Sequence, residues 1–202
     1  IVCADRVNTV SPTYAKEVQM EEFGCKLDSL LRSRAAKLSG ILNGIDYDVW
    51  NPAKDRFIAQ RYSKSTIDKK ARNKAVLQEE VGLPKDAQAP LFGVVSRVTE
   101  QKGFDILIPA LPQIVELGAQ VILLGTGEKK YEEPIALIAK THREFVAFLK
   151  YDETLAHRIY AGADFFMMPS KFEPCGLGQM ISLRYGTVPI VRATGGLADT
   201  IS

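Results

Sequence analysis

Glu173 lies in a short segment whose residue types suit a ligand with both hydroxyl and phosphate groups. The apolar run Ala163–Met168 ends at Pro169, and Gly176 then leads into helically spaced apolar residues. This pattern predicts a strand, a tight turn and a helix. In open α/β sheets, ligands bind beyond the carboxyl ends of the strands, where helix N-termini offer free N–H groups to anions. A carboxylate at that place suits a sugar nucleotide, and the structural alternative is a carboxylate that caps its own helix.

A second candidate group follows another apolar run. Arg97 and Lys102 come shortly after the run that ends at Ser96, and Gly103 follows them. Two cations on a strand-to-helix loop suit a diphosphate, because Arg supplies a planar fork of donors and Lys a compact point charge. Two solvated surface charges are the alternative interpretation.

Two glycine-containing turns follow other apolar runs. Gly125 and Gly127 form half of a dinucleotide-binding fingerprint, which is a weak signal that an ordinary turn also explains. Thr194, Gly195 and Gly196 precede the last helical segment, where their N–H groups could face an anion. A plain turn between a strand and a helix is the alternative there.

Three further residue types could take part in chemistry. Tyr151 follows an apolar run, so its ring could stack on a nucleobase or pack at the edge of the core. Cys175 has no neighbouring His, which favours a packed turn residue over a nucleophile. We also interpret His157 as a structural residue on its helix.

Short apolar segments and helical segments alternate from Leu91 onward, which predicts a parallel sheet covered by helices on both faces. Because the carboxyl ends of parallel strands share one edge, the candidate residues should meet there. The predicted strands are Leu91–Ser96, Val121–Leu124, Phe145–Leu149, Asp164–Met168 and Val188–Val191; the predicted helices are Phe104–Leu117, Tyr131–Lys140, Leu155–Ala161 and the segment after Gly176.

The first eighty residues are less regular. We predict a strand over Asp5–Val10, a helix from Ser11–Pro12 to about Gln19, and a helix over Leu27–Leu38. Asn–Gly and Asn–Pro pairs within Ile41–Pro52 indicate a hinge or a surface turn. A further helix should begin at a Ser65 cap and end at Glu80, before Gly82.

Composition excludes several classes of protein. The 26 Lys and Arg residues nearly balance the 24 Asp and Glu residues. The sequence has no dense basic run, which argues against nucleic acid as a partner. The three cysteines are too few for a disulfide framework and lack metal-ligand spacing, which predicts a reducing compartment and no metal. No run has membrane-spanning length, so we expect no membrane partner. The first residue is not Met and the last residues read as an interrupted helix, so we expect a piece of a longer protein.

Several segments, in order and over essentially the whole chain, resemble bacterial glycogen synthases and plant starch synthases. They include the stretches KFEPCGL and TGGLAD. The matching segments are Asn8–Tyr14, Gly40–Pro52, Ser96–Asp105, Tyr151–Arg158, Lys171–Leu177, Arg184–Val191 and Thr194–Asp199.

The resemblance implies the two-domain glycosyltransferase B fold, with Rossmann-like parallel sheets. Residues 1–45 would be the end of the N-terminal domain and the linker, and residues 46–202 the C-terminal, nucleotide-sugar-binding domain, incomplete at its end. The implied reaction is a retaining transfer of glucose from ADP-glucose to an α-1,4-glucan acceptor, without a cofactor or metal. The rest of the N-terminal domain, which would supply further groups to the site, would be the chain's partner. The family places its members in the bacterial cytoplasm or the plastid stroma.

The resemblance also implies roles for individual residues. Arg97 and Lys102 would hold the donor diphosphate, and Glu173 the transferred glucose. The remaining implied contacts are N–H groups of Cys175, Gly176, Leu177 and Gly178 on the distal phosphate, Tyr151 on adenine, Asn43 near the donor, and Gly195 and Gly196 in the substrate site. Many relatives have Thr at the position of Gly178, so a backbone contact alone is implied there. Ile181 stands where related glycosyltransferases carry a second carboxylate, which removes that route to a ribose contact.

Other functions compete with this one. The same residues could bind UDP-glucose, or the chain could be a non-catalytic nucleotide- or glucan-binding module. A nicotinamide-dependent oxidoreductase would need a third glycine after Gly127, and the sequence continues instead with Glu128 and two lysines.

Overall fold

The computed structural model describes residues 1–201 and contains two parallel sheets. The smaller sheet pairs β1 (Val7–Thr9) with β2 (Leu38–Gly40), and α1 (Pro12–Glu17) and α2 (Asp28–Ser33) lie between them in sequence. Ser11 begins α1 as predicted, since its side chain accepts a hydrogen bond from the Tyr14 N–H. None of the helices within residues 1–201 has the length and apolar character needed to cross a bilayer.

The prediction of one helix over Leu27–Leu38 is wrong at its C-terminal end. After α2 the chain turns through a short 3-10 helix, Ala35–Lys37, and then enters β2. Leu38 pairs with Val7 of β1, thirty-one positions earlier, in register. This long-range pairing overrides the local helical spacing of the leucines.

A five-stranded parallel sheet carries the rest of the chain, as predicted, in the strand order β5-β4-β3-β6-β7. Its strands alternate with helices along the sequence. The elements are α3 (Lys70–Val81), β3 (Leu91–Val95), α4 (Phe104–Glu116), β4 (Gln120–Leu124), α5 (Lys129–Thr141), β5 (Phe145–Phe148), α6 (Glu153–Gly162), β6 (Phe165–Met168), α7 (Gly178–Arg184), β7 (Val188–Val191) and α8 (Gly195–Thr200).

Helices cover both faces of this sheet. Successive residues of a strand point to opposite faces. Ile122 and Leu123 of β4 are both fully buried, and they belong to two different hydrophobic clusters. Ile122 packs with Leu77 of α3 and Ile159 of α6, whereas Leu123 packs with residues of α4 and α5. The near-continuous apolar strands seen in the sequence result from this double burial.

The strand order reverses beside β3. The chain proceeds from β3 outward to β4 and β5, then returns to place β6 on the other side of β3 and continues to β7. At such a switch point the loops after the two adjacent strands diverge and leave a crevice. The loop after β3 carries Arg97 and Lys102, and the loop after β6 carries Glu173.

The helix predicted to start at Ser65 starts two residues earlier. Ser63 and Thr66 form a capping box, in which each residue's side chain accepts from the other's backbone N–H, at the start of a 3-10 helix, Lys64–Lys69. Thr66 has φ −133°, which kinks the chain before α3 begins. Gly82 ends α3 with φ +79°, as predicted for a glycine C-cap.

A buried polar cluster fixes the segment Trp50–Asp55 against α6 and against Tyr185, which follows α7. Asp55 Oδ2 lies 2.7 Å from His157 Nδ1 and accepts a 2.6 Å hydrogen bond from the Tyr185 hydroxyl. Burial raises the pKa of Asp55, but hydrogen bonds from His157, Tyr185 and the Phe57 N–H outweigh it and hold the pKa below its ordinary value. The indole of Trp50 stacks on the His157 ring, with 4.1 Å between centroids. His157 is therefore structural, as the sequence predicts.

Lys70 is a buried lysine that joins α3 to the end of α6 and the start of β7. Its Nζ donates to the carbonyls of Tyr160 and Ala161 and to the Thr187 hydroxyl. Burial lowers its pKa from 10.5 to about 7. The folded state therefore binds fewer protons than the unfolded state between pH 7 and 10.5, and stability should rise with pH across that window.

Replacing Lys70 should remove this dependence. We expect Lys70→Met to flatten the rise in unfolding free energy between pH 7.5 and 9.5 by up to about 1.4 kcal/mol per pH unit. Urea unfolding at several pH values measures the slope. Lys69→Met is the matched control, since the neighbouring Lys69 is exposed. Equal slopes in the two variants would contradict the prediction.

Candidate active site

The loops after β3 and β6 touch through their main chains. Gly103 has φ +76°, and a Cβ atom there would lie 2.1 Å from the carbonyl oxygen of Pro169. The Lys171 N–H donates to the Gln101 carbonyl at 2.9 Å. Only glycine permits both this backbone conformation and this approach. The contact places Lys102, just before Gly103, opposite the turn that carries Glu173.

Glu173 forms a buried ion pair with Lys102. Their side chains are 7% and 17% exposed, and Lys102 Nζ lies 2.5 Å from Glu173 Oε2. The Ser170 hydroxyl donates to the same oxygen at 3.1 Å. An ammonium group has three N–H donors, so Lys102 can contact Glu173 and still donate to a ligand. The structure thus brings together two residues predicted separately and adds Ser170, which the sequence did not single out.

Arg97 follows β3 and is exposed. Its described side-chain hydrogen bond is long, 3.4 Å from Nη2 to Gln101 Oε1. It lines two adjoining cavities at the carboxyl edge of the sheet, and therefore lies where they meet. A flexible guanidinium at this junction can reach an anion that spans the two cavities.

The smaller cavity, about 230 Å³, has the more polar walls of the two. Its walls combine cations, one carboxylate and the turn before α7. The lining residues include Arg97, Lys102, Ser170, Glu173, Gly176, Leu177 and Gly178.

Gln179 orients the peptide groups of this turn. It is fully buried, and its Nε2 donates to the carbonyls of Cys175 and Gly176 at 2.9 and 3.0 Å. In a trans peptide the N–H points opposite to the C=O, so the N–H groups of Gly176 and Leu177 point away from Gln179. Within residues 1–201 no oxygen accepts from the N–H of Gly176, Leu177 or Gly178. These N–H groups remain available to an anion.

The larger cavity, about 360 Å³, lies on the other side of Arg97 and has mostly apolar walls. Tyr151, predicted as a stacking residue, is 84% exposed and lines it. Trp50 also lines it, fixed by its stack on His157. In the sequence, Trp50 stood out only as part of the possible hinge Ile41–Pro52. Its stacking on His157, over a hundred positions away, could not be predicted from the residues around either one.

Four predicted site residues lie elsewhere. Asn43 is exposed in the irregular segment after β2 and lines neither cavity. Cys175 is buried, consistent with a packed turn residue. Gly195 and Gly196 lie behind the Glu173 turn, and their N–H groups donate to Glu17 Oε1 and to the Glu173 carbonyl, so they are not free as the sequence suggested.

Gly125 and Gly127 allow close approach of two loops. A Cβ atom at Gly125 would lie 1.8 Å from the Ser96 carbonyl oxygen, and one at Gly127 would lie 2.1 Å from that of Val98. A bridge pairs Val98 with Gly127. The glycines are therefore explained by packing of the loop after β4 against the loop after β3.

The fold and this cleft define a class of protein. Residues 89–202 match the family model described as "Glycosyl transferases group 1", and residues 1–33 match "Starch synthase catalytic domain". Because the first match spans more than half of the chain, the chain belongs to the group 1 glycosyl transferases.

Within that class, the resemblance to glycogen and starch synthases is confirmed. The chain is 54% identical over 205 residues to a glycogen synthase of Thermosipho melanesiensis, with 100% of this chain and 42% of the relative covered. It is 50% identical over 202 residues to the glycogen synthase of Thermotoga maritima, with the same coverage. The chain thus spans about two fifths of the length of these curated relatives.

Solved structures agree with the glycosyltransferase B fold. The catalytic domain of starch synthase IV from Arabidopsis thaliana, solved bound to ADP and acarbose, matches with a TM-score of 0.92 and 44% identity over 98% of this chain and 41% of that one. A sucrose-phosphate synthase from Thermosynechococcus elongatus matches with a TM-score of 0.66 at 22% identity, covering 98% of this chain and 43% of that one. The second likeness shows the fold alone.

Proposed function

We propose that the chain forms the donor-binding half of a retaining glucosyltransferase that extends an α-1,4-glucan from ADP-glucose. The observation that carries the proposal is the position of Arg97 at the junction of an apolar, aromatic cavity and a polar cavity. A nucleoside diphosphate sugar has the matching order of an aromatic base, two phosphates and a polyhydroxyl ring. The ADP in the starch synthase IV structure supports adenine as the base.

In this proposal the donor spans both cavities. The base lies in the larger cavity against Tyr151, and Trp50 forms a second aromatic wall. Arg97 and Lys102 hold the diphosphate, and the free N–H groups of Gly176–Gly178 contact its distal phosphate. Glu173 then lies beside the glucose, where a carboxylate accepts hydrogen bonds from sugar hydroxyls.

The reaction follows from this placement. The bond between the glucose C1 and the phosphate oxygen breaks, and a bond forms from C1 to the acceptor's 4-oxygen on the same face. The acceptor proton passes to the leaving phosphate. Arg97 and Lys102 stabilise negative charge that builds on the diphosphate, and each such donor contributes about 3 kcal/mol in other enzymes.

Glu173 acts in sugar positioning in this proposal. A covalent nucleophile needs a free carboxylate oxygen aimed at C1, as in retaining glycosidases. Here one oxygen of Glu173 already accepts from Lys102 and Ser170. These contacts hold the carboxylate in place and make that oxygen a weaker nucleophile, and the other oxygen, Oε1, can accept a hydrogen bond from a sugar hydroxyl.

The remaining expectations from the resemblance are part of the proposal. Residues 1–45 belong to an N-terminal domain and linker, and 46–202 to the nucleotide-sugar-binding domain. The rest of the N-terminal domain supplies the acceptor site, and closure brings Asn43 to the cleft. The enzyme works in the bacterial cytoplasm or the plastid stroma.

Loss of either cation should weaken ADP binding. We expect Arg97→Ala to raise the Kd for ADP about 10-fold or more, because a charged hydrogen bond contributes roughly 1.5–3 kcal/mol. Lys102→Ala should have the larger effect, since it also leaves the buried Glu173 carboxylate unpaired beside the phosphates. Calorimetric titration of the 202-residue chain measures both, and the emission of Trp50, the single tryptophan, provides a second reading.

Lys140→Ala is the charge-matched control, since Lys140 is exposed at the end of α5. Parallel titrations with UDP test the rival donor. Tighter binding of UDP than of ADP would replace ADP-glucose with UDP-glucose in the proposal. Unchanged ADP binding in both cation variants would overturn the diphosphate assignment.

A further inference from the structure

The turn that carries Glu173 is held from behind by residues that precede the linker. We infer that Thr13, Glu17 and Phe23, here called the brace, are positioning residues for Glu173. None of them lines either cavity. The inference rests on the proposed role of Glu173 at the sugar. It adds that the brace fixes the position of the Glu173 carboxylate relative to the sugar.

Two pairs of hydrogen bonds join α1 to α8. Glu17 Oε1 accepts from the Thr194 hydroxyl at 3.0 Å and from the Gly195 N–H at 2.9 Å. Asp199 accepts from the Thr13 N–H at 2.9 Å and from its hydroxyl at 2.6 Å. The start of α1 thus meets the end of α8, and the end of α1 meets its start. Each helix supplies one carboxylate to the other, so the pair is fixed at both ends.

The first turn of α8 rests on the main chain of Glu173. The Gly196 N–H donates to the Glu173 carbonyl at 2.9 Å. A Cβ atom at Gly195 would lie 2.0 Å from that same oxygen, and one at Gly196 would lie 2.2 Å from the carbonyl oxygen of Cys175. A displacement of α8 must therefore move the turn or break its hydrogen bond.

Phe23 makes a third contact. Its ring centroid lies 6.1 Å from that of Phe172, the residue before Glu173, with the planes tilted by 57°. This is within the range of favourable aromatic pairs. The brace thus reaches Glu173 by two routes, through α8 and through Phe172. A shift of α1 or of Phe23 should therefore shift the Glu173 carboxylate.

The first test measures amide exchange by NMR in the 202-residue chain. We expect Glu17→Ala to speed exchange of the Gly196 amide, which donates to Glu173 and not to Glu17. Glu22→Ala is the control, because Glu22 is an exposed acidic residue of the same segment. Unchanged Gly196 exchange in Glu17→Ala would show that loss of Glu17 does not weaken the hydrogen bond from Gly196 to Glu173, and would overturn the inference.

The second test measures turnover in a chimaera, in which this chain replaces the aligned 202-residue stretch of the Thermotoga maritima glycogen synthase. Misplacement of a reacting group by about 1 Å can cost 10²-fold in rate, so we expect Glu17→Ala to lower kcat roughly 10- to 100-fold. The Kd for ADP should change less than kcat, because Arg97 and Tyr151, which hold the diphosphate and the base in the proposal, lie outside the turn that the brace supports. Glu17→Gln keeps an acceptor oxygen at the Gly195 N–H and should restore most of kcat.

The outcomes separate the brace from the proposed function. Loss of kcat in Glu17→Ala with rescue in Glu17→Gln supports the brace. A lowered melting temperature with unchanged kcat means a structural contact only and overturns it. If the unmodified chimaera transfers no glucose, the proposed function fails, while the exchange experiment still decides whether Glu17 is coupled to the turn.

Discussion

Glu173→Gln should nearly abolish glucose transfer by the chimaera, lowering kcat on the order of 10²- to 10³-fold. The amide keeps the size of the side chain and can still accept from Lys102 and Ser170, so the turn should keep its shape. It loses the charge that strengthens hydrogen bonds to the sugar as its ring becomes electron-poor. That interaction exists mainly in the transition state, so its loss appears in kcat.

The same substitution should leave ADP binding intact or make it tighter. Removal of a negative charge beside the phosphates reduces repulsion, and Lys102 becomes freer to donate to them. Radiolabelled transfer from ADP-glucose to glycogen measures kcat, and calorimetry measures Kd. Glu116→Gln is the matched control, because Glu116 is exposed at the end of α4, away from the cleft. A kcat equal to that of the control would remove Glu173 from the chemistry.

The 202-residue chain by itself should bind ADP weakly and transfer no glucose. Arg97, Lys102, Tyr151 and the turn before α7 all belong to it, which accounts for binding. Tyr151 is 84% exposed, so the base would be covered on few sides without an opposing domain. Transfer needs closure to exclude water and to supply the acceptor site.

Incorporation of labelled glucose into glycogen should therefore separate the chain from the chimaera. Activity in the chimaera alone agrees with a site divided between two domains. Efficient transfer by the chain alone would show that all catalytic groups lie within it, contrary to the proposal. ADP binding with no transfer by the chimaera either would favour the rival interpretation, a non-catalytic nucleotide-binding module.

The large sheet and the location of the cleft could be predicted from the sequence because their signals are local. Each strand of the sheet is a short apolar run, and double burial demands that composition at every strand. Arg97, Tyr151 and Glu173 lie in the loops that follow such runs, so their places near the carboxyl edge follow from strand direction. Gly82 likewise predicted the C-terminal end of α3, because a left-handed C-cap depends on the type of one residue.

Which of these residues meet was decided by the tertiary structure. Lys102 and Glu173 are 71 positions apart, and they pair because β6 lies beside β3, a strand order that no local pattern encodes. Trp50 lines the larger cavity while its ring stacks on the distant His157, and β2 forms by pairing with β1. Glu17 could not be connected with Glu173 from the sequence, since the connection runs through the backbone of α8. Local patterns specify which groups stand at the edge of the sheet, whereas long-range packing determines their partners and hence their chemistry.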